Sequence, residues 1–288
     1  NGETHTFITG ANGVGMTDLG TLGGTYSTPE GINDSGQVVG GSYILGNEIS
    51  DISGSPILHA FVTGANGVGM TDLGGSISYA MDINNSGQVV GQSTFGTSDL
   101  RGFITGPNGV GMTEMGTLGG AKSSPVGIND SGQVVGWSYK ADGHYTAFIT
   151  DVAGAGMTDL GTLGGKANSV ATDINNSGQV VGSSEATNSL IHAFVTVTDA
   201  ANGVGMTDLG TFGGPYSLAG AINDSGQVVG VAYTPTELHS FIYSHGVMVD
   251  LSLLAPVVAG GWTNLHVADI NDNGQIAGYG VLNGIHQA

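Results

Sequence analysis

The stretch Ile32-Asn33-Asp34-Ser35-Gly36-Gln37-Val38-Val39-Gly40 decides the fold. It holds two short apolar runs rich in β-branched residues, split by Asn-Asp-Ser-Gly. Asn or Asp opens a tight turn by bonding its own backbone, and Gly takes the positive φ that closes it. Two strands joined by a hairpin follow. Working outward, the same Ile-Asn pair recurs at Ile83, Ile128, Ile174, Ile222 and Ile270, with spacings of 51, 45, 46, 48 and 48 residues. Two further anchors keep step with it. One is a strand carrying Phe7, Phe61, Phe103, Phe148, Phe194 and Phe241, and the other is the Met-Thr-Asp-Leu type of stretch around Asp18, Asp72, Glu114, Asp159, Asp208 and Asp250.

Each repeat therefore reads as four short antiparallel strands. In the third repeat they fall near 125–129, 133–139, 147–150 and 157–160. No segment sustains apolar positions at three- and four-residue steps, so no helix is expected. About 45–50 residues and four strands per unit is the period of a propeller blade. The sequence predicts an all-β, six-bladed β-propeller forming a single domain over residues 1–288. Residues 1–24 would complete the blade begun by 262–283, which hides sheet edges that an open stack would expose. The chain opens and stops inside a repeat and reads as a mature or trimmed stretch.

The chain has 288 residues, 54 of them Gly, and no Cys. Its 4 Lys and Arg against 23 Asp and Glu give a net charge of -19. No basic face exists to neutralise phosphates, which excludes nucleic acid as a partner. No apolar run is long enough to span a bilayer, so membrane insertion is not expected. Without cysteine there is no thiol catalysis and no thiolate metal site. Gly-x-Ser-x-Gly, His-Glu-x-x-His, phosphate-loop and EF-hand motifs are absent as well. Five apparent glycosylation sequons, at Asn33, Asn84, Asn129, Asn175 and Asn223, arise from the turn chemistry itself.

At its Phe strands the chain resembles the HAF extracellular repeat family of bacteria, named for the tripeptide His-Ala-Phe. His59-Ala60-Phe61 and His192-Ala193-Phe194 match it outright. His5-Thr6-Phe7 and His239-Ser240-Phe241 are near matches, while Arg101-Gly102-Phe103 and Thr146-Ala147-Phe148 depart from it. The resemblance implies secretion or surface display, and it carries over no catalytic residue.

Among the repeated side chains, Phe reads as core in all six copies. The Asp of Met-Thr-Asp-Leu reads as a carboxylate that satisfies backbone donors, and the His as a local contact between blades. The residue before Ile-Asn alternates, and is Asp82, Asp173 and Asp269 in every second repeat. Turn capping is the plainer reading of these three. The sharper one has them lining an axial channel around a hard cation such as Ca²⁺, which needs six to eight oxygens. Every second repeat also shares Tyr26, Lys122 and Tyr216 at one place, and Tyr43, Tyr139 and Tyr233 at another. Variable segments at 44–58, 94–100, 140–145, 185–191 and 234–238 would share a face with these residues, and variable loops on a rigid scaffold are where binding sits. Tyr26, Lys122, Tyr216, Trp137 and Trp262 are the candidate ligand-binding residues, the aromatic ones for stacking on sugar rings. No catalytic residue is assigned.

The expectation is a noncatalytic extracellular or cell-surface interaction module for carbohydrate or other surface proteins. A structural subunit that assembles with itself into a filament or matrix is the alternative. A glycosidase or lyase comes third, and would need two converging carboxylates.

Overall fold

A computed structural model describes residues 2–45, 57–96, 99–197 and 205–287. Most of the expected 44–58 loop, with Glu48 and Asp51, lies outside the described residues. The chain is all-β and is built from several four-stranded antiparallel sheets. β1 (Thr6–Ile8) and β2 (Thr17–Gly20) form a two-stranded sheet. Four strands in order follow: β3 (Gly23–Ile32), β4 (Val38–Ile44), β5 (Leu58–Thr63) and β6 (Met70–Gly74). The next four are β7 (Ser78–Ile83), β8 (Val89–Ser93), β9 (Arg101–Thr105) and β10 (Met112–Glu114). The third repeat supplies β11 (Gly119–Ile128), β12 (Val134–Lys140), β13 (Tyr145–Thr150) and β14 (Met157–Gly161). Then come β15 (Gly164–Ile174), β16 (Val180–Ala186), β17 (Ile191–Thr196) and β18 (Met206–Gly210). The fifth set is β19 (Ser217–Ile222), β20 (Val228–Tyr233), β21 (Leu238–Ser244) and β22 (Val247–Asp250). β23 (Trp262–Ile270), β24 (Ile276–Leu282) and β25 (Ile285–Gln287) make a three-stranded sheet.

Two expectations need correction. The first strand of the third repeat starts at Gly119 rather than Pro125, because Gly-Gly continues the strand instead of leaving it. Gly119 takes φ +103, and a Cβ on Gly120 would lie 2.5 Å from that of Tyr139, so only glycine lets the two strands approach here. A helix does form, α1 (Ala255–Gly260), one short segment with Pro at its start and Gly261 in the left-handed conformation at its end.

The packing groups the chain into two compact units. One comprises Asn1–Val134, Ser138–Asp142 and Thr150–Met157, and the other Val135–Trp137, Gly143–Ile149 and Thr158–Ala288. In the first unit the core gathers Val39, Ala60, Val62, Ala80, Val89 and Phe103. In the second, Val181, Ala193, Ala219, Val228 and Phe241 form a cluster of the same make, and Val135, Ala147, Ala171, Val180 and Phe194 another. Phe61, Phe103, Phe148, Phe194 and Phe241 are fully buried. Phe7 is 53% exposed, which corrects the expectation for the sixth Phe. Among the described residues its strand pairs with β2 alone, and no second neighbouring strand covers the ring.

The Asn of each Ile-Asn pair organises its turn. Asn33 Oδ1 accepts from the N–H of Ser35 and Gln37, while its Nδ2 donates to Gln37 Oε1 and to the carbonyl of Asn84 in the next sheet. Asn84 donates likewise to the Asn129 carbonyl, Asn175 to Asn223, and Asn223 to Asn271. These buried amides are committed to protein partners, which leaves the apparent sequons structural. The Asn-Gly loops dock onto the same turns, with Asn66 N–H donating to Ser35 and Gly67 N–H to Gly36.

Candidate functional site

Two of the three carboxylates before Ile-Asn clamp one sheet to the next. Asp82 accepts from its neighbour Ile83 N–H at 2.8 Å and from Ile128 N–H at 2.9 Å. Asp173 does the same with Ile174 and Ile222, both at 2.8 Å. Asp269 accepts from Ile270 at 2.7 Å. The three stand on β7, β15 and β23. No group of three or more His, Cys, Asp or Glu placed to hold a metal occurs among the described residues. Burial pushes the Asp82 carboxyl up to about 6, against the opposing pull of its two backbone N–H donors.

The His of the Phe strand pairs within its own sheet rather than between blades. Its Nδ1 meets the Asp of the last strand, at 2.8 Å for His5 and Asp18, 2.9 Å for His59 and Asp72, 2.8 Å for His192 and Asp208, and 2.6 Å for His239 and Asp250. Where His becomes Arg101, Asp becomes Glu114, and the Nη1 to Oε1 distance is 2.6 Å. The second oxygen closes the following turn, as when Asp72 accepts from Gly74 N–H and Asp208 from Gly210 N–H.

The fifth copy of this pair opens into a groove of about 690 Å³. One wall is β21 with the loop before it, giving Glu237, Leu238, His239 and Ser240. The other is the start of β23, giving Trp262, Thr263, Asn264, Leu265 and His266, with Tyr233 at one end. Two local features fix its shape. Thr234 folds the loop back by accepting the Glu237 N–H on its hydroxyl, while its own N–H donates to the Glu237 carbonyl. β23 bulges between Thr263 and His266, where Asn264 sits at φ +48, a conformation Asn tolerates better than most residues.

His239 lies between two carboxylates, Asp250 on Nδ1 and Glu237 on Nε2 at 3.4 Å. The Asp250 hydrogen bond raises its pKa above the ordinary 6.5, burial opposes the rise, and Glu237 adds to it. Burial would raise Asp250, yet the bonds from His239 and from the hydroxyl and N–H of Ser252 hold it below 3.8. Ser252 Oγ is 3.1 Å from the same Nδ1 and donates to Asp250 at 2.6 Å. A nucleophile relay needs hydroxyl and carboxylate on opposite ring nitrogens. Here both occupy one nitrogen, so Ser252 caps a turn and is not activated. What the groove offers is an indole, a phenol, amide and hydroxyl groups, and one exposed carboxylate, Glu237.

Of the five residues expected to bind ligand, Trp262 lines this groove. Tyr216 pairs with one of its lining residues, its ring 4.4 Å from that of Tyr233. Trp137 packs on Tyr145 at 5.6 Å. In the other unit Tyr26 pairs with Tyr43 at 5.2 Å, and Lys122 Nζ is 3.8 Å from Asp99. Sequence reasoning missed Glu237, Asn264 and His266. It also missed a serine five residues before the Ile of Ile-Asn, at Ser27, Ser78, Ser123, Ser169 and Ser217, whose hydroxyl accepts an N–H from the preceding Phe strand. That fixed offset was readable in the sequence, and the sixth copy breaks it with Leu265 on the groove wall.

A family model described as a protein of unknown function, DUF3466, matches residues 112–193. No curated protein matches the chain. Among solved structures, a TolB protein from Agrobacterium tumefaciens aligns with a TM-score of 0.53 at 12% identity, covering 82% of this chain and 84% of that one. TolB from Acinetobacter baumannii gives 0.50 at 13%, covering 87% and 62%. Dipeptidyl peptidase 4 from Porphyromonas gingivalis gives 0.54 at 9%, covering 97% of this chain and 48% of the peptidase. The likeness is one of fold, and these neighbours are β-propeller-like. No helix among the described residues is long and apolar enough to cross a membrane, which says nothing of strands.

Proposed function

We propose that the protein is a noncatalytic, extracellular or surface-displayed binding module that holds carbohydrate in the groove of Tyr233, Glu237, His239, Trp262, Asn264 and His266. One observation carries this reading: Trp262 shares a cleft of about 690 Å³ with the carboxylate of Glu237 on the other wall and with the amide of Asn264 and the hydroxyl of Thr263 on its own. An apolar ring face beside a few fixed polar groups is what stacking on a sugar requires. The finer architecture belongs to the same proposal. Six repeats make six blades, with residues 262–283 as the inner half of the sixth and residues 1–24 as its outer half. The repeat period, the propeller-like neighbours and the His-Ala-Phe resemblance support it.

A glycan array run with the whole chain and with Trp262→Ala tests the binding. Selective signal on a defined glycan class, weakened at least tenfold in the variant, is the expected result. Silence across the array, or binding indifferent to Trp262, would overturn the site.

A further inference from the structure

The groove of Trp262 is opened by an exchange of two residue types. At two other junctions a serine accepts an N–H from the preceding Phe strand, Ser217 from Ala193 and Ser27 from Thr6, and a parallel bridge beside it joins Ile191 to Tyr216 and Thr4 to Tyr26. Between β21 and β23 the serine has changed strands: Ser240 stands at the place of Ala193 and Thr6, and Leu265 at the place of Ser217 and Ser27. The Ser240 hydroxyl donates to the Leu265 carbonyl at 2.6 Å and accepts the Val267 N–H at 3.2 Å, which ties the two walls together. No bridge joins the equivalent Leu238 and Asn264 among the described residues, and Asn264 leaves the extended conformation at φ +48 inside the bulge. The cleft stands where that bridge would close it.

The charge along the cleft is of one sign. No Lys or Arg lines it among the described residues, and the whole chain has only 4 Lys and Arg against 23 Asp and Glu. Glu237 presents a side chain that is 74% exposed, on backbone that Thr234 fixes through both the N–H and the carbonyl of Glu237. His239 does not cancel this charge. Its nearer partner is Asp250 at 2.6 Å, against 3.4 Å for Glu237, so when His239 is protonated two carboxylates and one imidazolium still leave a negative charge. An anionic sugar entering here would set like charges side by side, which is costly. A protonated amine would find a carboxylate, the rings of Trp262 and Tyr233, and acceptor oxygens on Thr263 and Asn264 along one cleft.

We infer that the sugar held in this groove is an amino sugar, bound through its protonated amine by Glu237 and through its ring by Trp262. The inference rests on the carbohydrate reading of the groove and adds the charge of the ligand. Glu3 repeats the arrangement in the other unit, two residues before His5 and 3.6 Å from its Nε2, but there the bridge from Thr4 to Tyr26 is in place. Removing either glutamate takes away the same charge, and only Glu237 lines the cleft.

Calorimetric titration of the whole chain at pH 6.5 tests this with three probes: a glucosamine disaccharide, its N-acetylated form and a galacturonic acid disaccharide. Acetylation should weaken binding about tenfold, the size of one partly exposed ion pair with a cation–π contact, and the uronic acid should give no binding heat. Glu237→Gln should bring the amine and its acetylated form level, Glu3→Gln should keep the tenfold preference, and Trp262→Ala should weaken both sugars. Equal affinity of the parent for the amine and its acetylated form, or tighter binding of the uronic acid, would overturn the inference and leave the carbohydrate reading standing. A preference that survives Glu237→Gln would mean that the acetyl group does not fit, and one that falls equally in Glu3→Gln would mean attraction to the acidity of the whole chain; either would overturn it as well. Heat from none of the three probes would overturn both readings.

Discussion

Replacing Asp82 by Asn separates the cost of a buried charge from the value of the clamp it forms. Asp82 holds two backbone N–H groups while its carboxyl is pushed from 3.8 to about 6 by burial. A carboxyl raised on folding contributes stability that is complete below its unfolded value and is lost as pH rises through its folded one. The shift is about 2 units, and at about 1.36 kcal/mol per unit the ionised clamp costs about 3 kcal/mol at pH 7.5 relative to the protonated one. Asn is neutral at every pH, but Ile83 and Ile128 donate to different oxygens of Asp82 and the amide nitrogen of Asn accepts neither. Asp82→Asn should therefore start below the parent at pH 3.5 by about 1–3 kcal/mol and gain about 3 kcal/mol on it between about pH 4 and 7. Urea unfolding followed by tyrosine and tryptophan emission at half-unit pH steps measures this directly. A difference independent of pH would refute the reasoning, because it would mean that Asp82 ionises as freely in the folded chain as in the unfolded one.

Other outcomes follow from the same contacts. The raised His239 favours folding below pH 6.5 and loses that effect as pH rises through its folded value. The lowered Asp250 favours folding above 3.8 and loses it as pH falls through its own. His239→Gln should thus cost stability most below pH 6.5 and progressively less as pH rises, by no more than about 1 kcal/mol after solvent screening; a penalty that grows with pH would contradict the pair. Phe61→Ala empties a fully buried position and should cost about 3–5 kcal/mol, while Phe7→Ala, at an exposed ring, should cost the monomer less than about 1 kcal/mol in the same denaturation assay. Equal costs would mean that Phe7 is packed in solution.

The strands were legible because their signals are local and repeated. Gln-Val-Val-Gly after Asn-Asp-Ser-Gly can do little but turn and extend, and it does so between β3 and β4 and again between β19 and β20. Phe7 and the His contacts were misread for a different reason. A periodic sequence states what each residue would do with a neighbour on both sides, and it does not state which edges go unpaired or whether a His finds its carboxylate within its own sheet or across to the next. The groove was half legible. Trp262 stood out as a rare residue, but Glu237 and Asn264 come from a variable loop and a bulge, where the repeat gives no template.

The groove is tested most directly through Trp262 itself. The chain has two tryptophans, so Trp137→Phe leaves Trp262 as the sole indole emitter. Titrating that variant with the glycan selected on the array should shift Trp262 emission to a saturable end point, and mass spectrometry should recover the glycan intact. Glycan bound with Trp262 emission unmoved, or returned cleaved, would contradict a noncatalytic site built around that residue.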